Sequence, residues 1–258
     1  MRLDTITWLE CQAAIDDGAP LVVPVGSIEQ HGPHLPLGTD LFIPSELALR
    51  LARRRPLIVA PGIVYAGFSR VRSGGGRSFP GTVGIPARTL EDTVLALCED
   101  FLRHGFRRIA FLNGHMENVA PVVDAIERAA HGRDDVKLLL VNWWDQLDAA
   151  DLSEGFPNGF PGWDLEHASV LETSIMEALL PAQVRTEHKA AGGAPRVARY
   201  EVYPVPDDLI APTGVLSTAE TASAELGERA VEIVLDRVAA ILDDEFPAQA
   251  GAGAGTAR

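Results

Sequence analysis

The chain has 258 residues and a formal net charge of −14, with 47% hydrophobic and 22% charged residues. This composition is that of an ordinary globular protein, and the length fits one large α/β domain. Because acidic residues are in excess and the basic ones are scattered, no basic face is available for a phosphate backbone. We therefore expect no nucleic-acid partner.

Cysteine usage and the beginning of the chain indicate the compartment. Cys11 and Cys98 are far apart in sequence, and Cys98 lies in a helical apolar pattern that is typical of a buried free thiol. The first residues lack a basic region followed by a long apolar stretch, and no later run approaches the ~18 to 20 apolar residues that span a bilayer. These features predict a cytoplasmic protein with neither a signal peptide nor a membrane anchor.

Four short apolar runs rich in β-branched residues are typical of strands buried on both faces. They cover residues 21–26, 57–64, 108–114 and 136–144. Stretches of helical periodicity lie between them, at residues 45–54, 89–105 and 117–132. We expect Thr89 to cap the second helix and Gly105 to end it. Strands that alternate with helices predict a mostly parallel sheet covered on both sides.

The rest of the chain is less regular. Residues 65–87 are rich in Gly, Ser and Arg and predict a loop of the length that is usually functional. Residues 192–213 are also irregular, and an amphipathic run at 218–246 predicts one long helix or a pair of helices. We interpret residues 1–246 as a single domain and residues 247–258 as a low-complexity, frayed tail.

The first cluster of polar side chains follows the first predicted strand, in the segment VPVGSIEQHGPHLPLGTD. Glu29, His31 and Asp40 fall just past the carboxyl end of that strand, where open parallel sheets place ligand sites. If the chain is extended, Glu29 and His31 project from one face, and Asp40 can return to them across the Pro and Gly turns. Two carboxylates and an imidazole suit a divalent metal, although such loop residues are more often solvated or turn-forming.

A second cluster repeats this layout in RIAFLNGHMEN, where His115 and Glu117 follow an apolar strand and a glycine. Two strand ends then offer five possible ligands. A bridging carboxylate with two further ligands on each ion would hold two metals ~3.5 to 4 Å apart, as in two-metal hydrolases. Asp40 is the candidate bridge. The alternative interpretation makes Glu117 a first-turn helix residue and Asn118 a cap.

A third cluster, in GWDLEHASVLETS, places four polar or aromatic residues before a helical pattern that begins near Ala168. They are Trp163, Asp164, Glu166 and His167. The adjacent acid and imidazole could act as orienter and proton shuttle. The alternative is a helix N-terminus with an acidic first turn and a core tryptophan.

Weaker candidates lie outside these clusters. The SGGG segment from Ser73 to Gly76 could bring backbone donors near a ligand, but it lacks the strand-to-helix setting of a phosphate-binding loop. Trp143 and Trp144 end an apolar strand, so one is expected to point to the core and the other to the site. Four histidines are most simply explained as surface or capping residues, namely His34, His104, His131 and His188.

In these motifs the chain resembles the creatininase family. PVGSIEQHGPHLPLGTD is similar to the family's first metal-binding motif, and NGHMEN is similar to its second. The likeness continues through SGGGRSFPGT, GFPGWDLEHASVLETS and YEVYPVPDDLIAPTGVLSTAETAS, so it covers almost the whole chain apart from the tail. It implies a three-layer α/β/α subunit with a mostly parallel central sheet, usually assembled as a homohexamer.

The resemblance also implies roles for individual residues. One ion would be held by Glu29, Asp40 and His115, and a second by His31, Asp40 and Glu117. The metals would be zinc with manganese, or two zinc ions. Glu166 and His167 would assist proton transfer to the leaving nitrogen. The residues that would surround the substrate are Ser73, Trp144, Trp163 and Asp164, with Met116 on the pocket wall.

The reaction that the resemblance implies is hydrolysis of a small cyclic amide, with creatinine to creatine as the first choice. Met116 lies where creatinine-hydrolysing members have a tyrosine, which removes a phenolic hydroxyl from the pocket wall. Another small ring or a formamide-type substrate is therefore the alternative within the family. Glu172 is a reserve carboxylate in case Glu117 does not bind metal. From a different class, the chain could be a metal-binding protein that has lost turnover.

Overall fold

The computed structural model describes residues 1–193 and 200–247. In this part of the chain, short strands alternate with helices, as the sequence predicts. Most of the expected low-complexity tail, residues 248–258, lies outside the described residues. No helix in the described part is long and apolar enough to cross a membrane.

The central sheet has four strands, and every pairing between them is parallel. The strands are β1 (Leu21–Val25), β2 (Ile58–Val59), β3 (Arg108–Asn113) and β4 (Lys137–Asn142). Their order in the sheet is β2-β1-β3-β4. The predicted parallel sheet is therefore confirmed. β2 is shorter than the apolar run that predicted it, because Pro61 interrupts the run and has no N–H to donate.

Eight α-helices surround this sheet in the described residues. They are α1 (Trp8–Asp16), α2 (Thr39–Arg54), α3 (Val71–Gly74), α4 (Ala87–His104), α5 (Val119–Ala130), α6 (Ala149–Leu152), α7 (Val170–Leu179) and α8 (Ala224–Glu245). The C-terminal run forms one helix, because Ser223 caps its start by accepting from the Leu226 N–H. Short 3₁₀ helices occur in the connections, and three of them carry site residues: Met116–Asn118, Trp144–Gln146 and Trp163–Leu165.

Two apolar cores separate the three layers. Side chains on one face of the sheet, such as Val22 and Leu112, pack with α2, α7 and α8. Side chains on the other face, such as Val23 and Phe111, pack with α1, α4 and α5. Because successive strand residues point to opposite faces, the continuous apolar runs supply both cores.

Helix boundaries refine two expectations from the sequence. α4 ends at Gly105, whose φ of 108° is left-handed, as predicted. Its first residue is Ala87, so the expected cap at Thr89 is wrong, and the helix follows Pro86 instead. α2 begins at Thr39, well before the predicted helix, and Asp40 therefore lies in its first turn. This early start fixes Asp40 on a rigid element beside the end of β1.

Candidate metal centre

The carboxyl ends of neighbouring strands bring the polar motifs together. β1 and β3 pair in register up to Val25 and Asn113, and the chain then leaves both strands at the same edge of the sheet. Gly114 allows close approach there, since a Cβ at this position would lie 2.0 Å from the Asp40 carbonyl oxygen. The segment that carries His115 therefore packs directly against the start of α2.

The first group of potential ligands contains Glu29, Asp40 and His115, and all three side chains are buried. His115 Nδ1 lies 3.0 Å from Glu29 Oε2 and 3.1 Å from Asp40 Oδ2. This is the set that the sequence predicts for one ion. Gly74 approaches Glu29 so closely that a Cβ would lie 1.7 Å from its Oε1 atom, which gives the SGGG segment a packing role.

The second group contains His31, Asp40 and Glu172. His31 Nε2 lies 3.0 Å from Asp40 Oδ1 and 3.7 Å from Glu172 Oε2. The two carboxylate oxygens of Asp40 thus face different groups, Oδ1 toward His31 and Oδ2 toward His115. That arrangement is what a bridging carboxylate requires.

Glu117 lies on the other side of His115. Its Oε2 atom is 3.1 Å from His115 Nε2, and its Oε1 atom accepts a hydrogen bond from the Ser73 hydroxyl. Because residues Met116–Asn118 form a 3₁₀ turn, the carboxylate returns beside the outer nitrogen of the ring. In this structure Glu117 belongs to neither ligand group, and its role as a direct ligand stays a prediction.

The ionisable groups of the cluster change one another's pKa values. Burial raises the pKa of Glu29 to about 7, against the opposing charge of His115. Burial also opposes ionisation of Asp40, but the positive charges of His31 and His115 outweigh it and hold the pKa of Asp40 well below its usual range. Burial disfavours protonation of both histidines, yet the surrounding carboxylates raise their pKa values well above the usual range. Positive charge is strongly favoured at this position, and a divalent cation can supply it in place of protons.

Three side-chain atoms of the cluster that could coordinate a metal are buried and lack a well-directed hydrogen bond. They are Glu29 Oε1, His31 Nε2 and Asp40 Oδ2. An unpaired buried polar atom costs about 1–3 kcal/mol unless a ligand satisfies it. Carboxylate oxygens and imidazole nitrogens are ligands that zinc and manganese accept. The residues present therefore fit bound divalent cations.

His167 lies beside the metal-ligand cluster. Its ring centroid is 4.3 Å from that of His31, and its Nε2 atom is 2.7 Å from the Gln30 carbonyl oxygen and 2.9 Å from the Gln30 side-chain amide. Burial and the charge of His31 lower the pKa of His167 well below its usual range, so the ring is neutral at neutral pH. Its position also allows a third grouping, with Glu29 and His31.

The sequence predicts that Glu166 orients the His167 imidazole, but in the structure Glu166 contacts the backbone of α7. Its carboxylate accepts a hydrogen bond of 2.6 Å from the Leu171 N–H in the first turn of α7. Burial and the charge of Glu172 raise the pKa of Glu166 well above its usual range. The Gln30 carbonyl oxygen accepts the hydrogen bond that fixes the His167 ring, and the Gln30 side-chain amide donates to the carbonyl oxygens of Gly74 and Gly214.

A cavity of about 40 Å³ opens beside the polar cluster. The cluster and Ser73 form part of its lining, and the apolar part consists of Met116, Trp143, Trp144 and Trp163. One water molecule occupies roughly 10–15 Å³ on this measure, so the cavity holds only a few. A five-membered ring needs more room, and its entry requires the wall to move.

The structure differs from two predictions about the residues that line the cavity. Trp143 and Trp144 both line the cavity, so the prediction that one would point away from it is wrong. The strand ends at Asn142 and turns at once into a 3₁₀ helix, which breaks the alternation of side chains. Asp164 pairs with Arg72 at 2.7 Å, with about half of its side chain exposed, and does not line the cavity. Its contact with substrate stays a prediction.

Sequence reasoning missed two features of the site. Gln30 contacts His167, Gly74 and Gly214, and its position between Glu29 and His31 in the first motif is the sequence signal for this role. His34 is completely buried, and its Nε2 atom lies 2.8 Å from the Thr173 hydroxyl, so its interpretation as a surface or capping residue is wrong. The other three histidines of that group are exposed, as expected.

The parallel α/β fold and the buried cluster of carboxylates and imidazoles at its strand ends together define a metal-dependent hydrolase. The family model of creatinine amidohydrolase, or creatininase, matches residues 4–242. The chain belongs to the creatininase family.

Individual relatives show how this family varies. The chain is 37% identical over 249 residues to creatinine amidohydrolase from Pseudomonas putida, covering 94% of this chain and 96% of the relative. It is 33% identical over 237 residues to the mycofactocin precursor peptide peptidase from Mycobacterium tuberculosis (strain CDC 1551 / Oshkosh), covering 84% of this chain and 81% of the relative. Family membership therefore does not by itself fix the substrate.

Solved structures agree with the fold. The crystal structure of creatinine amidohydrolase superimposes with a TM-score of 0.92 at 37% identity, covering 95% of this chain and 98% of that chain. The predicted three-layer α/β/α architecture is confirmed. Other similar structures include a manganese form of creatininase and a Zn–Zn form of a creatininase mutant.

Proposed function

We propose that this protein is a two-metal amidohydrolase that opens a small cyclic amide, with creatinine to creatine as the first reaction to test. The observation that carries this proposal is the pair of buried ligand groups that share Asp40, one on each of its carboxylate oxygens. A single structural cation would need only one such group.

Glu29, Asp40 and His115 would hold one divalent ion, and His31, Asp40 and Glu172 the other. Zinc with manganese, or two zinc ions, are the metals we propose. When bound, such a pair acidifies a water molecule into a nucleophile and polarises the scissile carbonyl. Glu117 accepts from Ser73 and lies against His115 Nε2, so it would fix the orientation of a metal-binding ring.

His167 would move the proton in this reaction. Because burial keeps the ring neutral, it can first accept a proton from the attacking water and then donate it to the leaving nitrogen. The Gln30 carbonyl oxygen accepts from Nε2, which leaves Nδ1 to take up that proton. Glu166 would act indirectly. Its hydrogen bond to the start of α7 would hold the backbone next to His167 in place.

The apolar wall suits a flat ring. Three tryptophans and Met116 offer faces and edges for stacking, while the polar cluster receives the reacting amide. We propose that Ser73 and Asp164 are the polar side chains that contact the edge of the bound substrate. Met116 supports the alternative function, hydrolysis of a different small ring or a formamide-type substrate, because a thioether cannot replace the hydrogen bond of a phenol.

A panel assay tests the function. Protein loaded with zinc or manganese is incubated with creatinine, other cyclic amides and a formamide, and the products are followed by mass spectrometry. We expect ring opening of creatinine, with one water added. Hydrolysis of another member alone would favour the alternative substrate. No turnover of any member would favour the non-catalytic metal-binding protein, and metal analysis of the same sample would show whether the ions are present.

Asp40→Asn is the matched inactive variant for this assay, because a neutral amide at a bridge compensates neither ion. Asp92→Asn is the control, since Asp92 is exposed and lies outside the site. Assembly as a homohexamer remains a prediction from the family resemblance, and a cytoplasmic location remains a prediction from cysteine usage and the lack of a membrane segment. Sedimentation of the full chain and fractionation of cells that express it would test them.

A further inference from the structure

One of the side chains that line the cavity carries a buried nitrogen without a hydrogen-bond partner. Trp143 is 2% exposed, and among the described residues its indole Nε1 atom is buried with no acceptor. The same side chain lines the cavity beside the ligand cluster. Because most buried N–H groups in folded proteins are paired, an unpaired donor at a site of this kind points to a missing partner.

The neighbours of Trp143 cannot supply that partner. Its ring meets those of Trp144 and Trp163 edge to face, with centroids 6.0 and 6.2 Å away. Met116 contributes only a weakly accepting sulfur to the same wall. Among the described residues no group of the wall accepts from the Trp143 indole, so a molecule that enters the cavity can supply the acceptor.

The segment of the wall that carries Trp163 is less buried than the segment that carries Trp143. The 3₁₀ helix Trp163–Leu165 contains no buried residue and follows Gly162, whose φ is 98°. In contrast, Trp143 follows β4 directly and is packed in the core with Val141. A ring that displaces Trp163 would thus meet a fixed Trp143 edge.

We propose that the Trp143 indole N–H is a specificity-determining donor, which binds an acceptor of the substrate ring other than the reacting carbonyl. This inference rests on the proposed function, since the polar cluster receives the carbonyl and leaves the far side of the ring to the wall. Met116 removes a hydroxyl from that wall, and Trp143 provides a donor there. Rings with a second acceptor, such as creatinine or hydantoin, would be preferred over 2-pyrrolidinone, which has none.

The sharpest test removes the donor and keeps the ring shape. Trp143→3-benzothienylalanine, introduced by nonsense suppression, replaces the N–H with sulfur. Trp8→3-benzothienylalanine is the control, because Trp8 is 76% exposed and far from the site in sequence. The melting temperature, the metal content, and kcat and KM for creatinine are measured on the zinc-loaded full chain. Dissociation constants of hydantoin and 2-pyrrolidinone are measured by calorimetry.

We expect the Trp143 variant to melt about 2–4 °C higher than the unmodified protein, because an unpaired buried donor has been removed. KM for creatinine and Kd for hydantoin should rise about ten-fold, since one hydrogen bond to the ligand is lost, while kcat, metal content and 2-pyrrolidinone binding stay the same. The Trp8 variant should match the unmodified protein.

A lower melting temperature with unchanged KM would overturn the proposal, because the N–H would then have a partner inside the protein. An equal effect on hydantoin and 2-pyrrolidinone would also overturn it. If the unmodified protein does not turn over creatinine, the substrate assignment fails, and the Trp143 proposal is judged on the hydantoin and 2-pyrrolidinone pair. If neither ring binds, the proposal is overturned, because the Trp143 N–H then selects no ring ligand.

Discussion

Glu117 and Glu172 both lie near the predicted metal ligands, but they have different neighbours. Single substitutions can therefore show which of the two binds metal. Glu172 lies with His31 and Asp40, whereas Glu117 lies outside both ligand groups, against His115 Nε2. The sequence motif alone favours Glu117 as a ligand, because it follows His115 by two residues. The ligand grouping places Glu172 Oε2 3.7 Å from His31 Nε2, and the same oxygen also accepts a hydrogen bond of 2.6 Å from the Ala168 N–H.

Glutamine variants of these two residues should therefore differ in metal content. We expect Glu172→Gln to bind one divalent ion per chain, because a neutral amide is a poor replacement for a carboxylate ligand. Glu117→Gln should keep two ions and lose activity through a misplaced His115 ring. Inductively coupled plasma mass spectrometry of dialysed protein measures both. Loss of an ion from Glu117→Gln but not from Glu172→Gln would restore the ligand set predicted from the sequence.

His167→Ala tests the assignment of proton transfer. Removing the imidazole should lower kcat by ~10²-fold or more, the usual contribution of a positioned acid–base group. Metal content should stay at the level of the unmodified protein. Gln30→Ala is a useful companion variant, because it removes the side-chain amide that contacts the ring but not the ring itself. Loss of metal from His167→Ala would show that His167 is a ligand, as its grouping with Glu29 and His31 permits.

Met116→Tyr examines substrate choice at the wall. If creatinine needs a phenolic donor, the tyrosine variant should raise kcat/KM for creatinine by roughly 10- to 100-fold, which corresponds to satisfying one buried polar group. If Trp143 already supplies the donor, the variant should gain nothing or lose activity through crowding. Steady-state kinetics on creatinine and on 2-pyrrolidinone, with the unmodified protein as reference, distinguish the two outcomes.

At the scale of elements, the start of α2 and the end of β3 form a tight contact. Pro44 removes the N–H that would bond the Asp40 carbonyl inside the helix, and Gly114 packs against that carbonyl. The contact positions Asp40 between the two motifs that follow β1 and β3. The position of Asp40 in the metal-ligand cluster therefore depends on how α2 packs against the end of β3.

Gly114→Ala should disrupt this junction. A Cβ would lie 2.0 Å from the Asp40 oxygen, so the backbone must shift, and we expect a loss of about 1–3 kcal/mol in the free energy of unfolding. The variant should also bind less metal, because Asp40 moves with α2. Gly132→Ala is the control: its φ of 71° strains an alanine, but nothing lies within 4 Å of the added carbon, so this variant changes stability without a clash. Urea denaturation and metal analysis should show that only the Gly114 variant loses ions.

At the scale of the whole molecule, the cluster links metal binding to stability. Carboxylates and imidazoles from the segments after β1 and β3 and from α2 and α7 converge in one buried place, so the ions would hold several elements together. A single ion at a free concentration 100-fold above its dissociation constant adds about 2.7 kcal/mol. In a domain of this size that corresponds to roughly 5–10 °C in melting temperature.

Stripping the protein with a chelator should therefore lower its melting temperature, and adding zinc should restore it. The difference should widen as the pH rises. In the metal-free protein the raised pKa values of His31 and His115 stabilise the fold fully below the unfolded pKa of histidine, and this stability is lost as the pH rises through the folded pKa values. Calorimetry of both forms across this pH range measures the effect, with Asp40→Asn as the control that should not respond to metal.

Local patterns in the sequence were enough to predict the layers of the fold and four residues of the buried cluster. Buried strands are continuous apolar runs and amphipathic helices have a helical period, so both can be read locally, and long motifs revealed the family. The predicted ligands Glu29, His31, Asp40 and His115 meet because the carboxyl ends of parallel strands share one edge.

Contacts between distant segments could not be predicted from the sequence and became visible in the folded chain. It placed Glu172 beside His31, used Glu166 at the start of α7, fixed His167 through Gln30 and left the Trp143 nitrogen without an acceptor. These outcomes depend on how α7 and the end of β4 pack against the β1 motif. A local pattern cannot specify them, because the direction of a side chain after a turn is set by the neighbours that surround it in the folded chain.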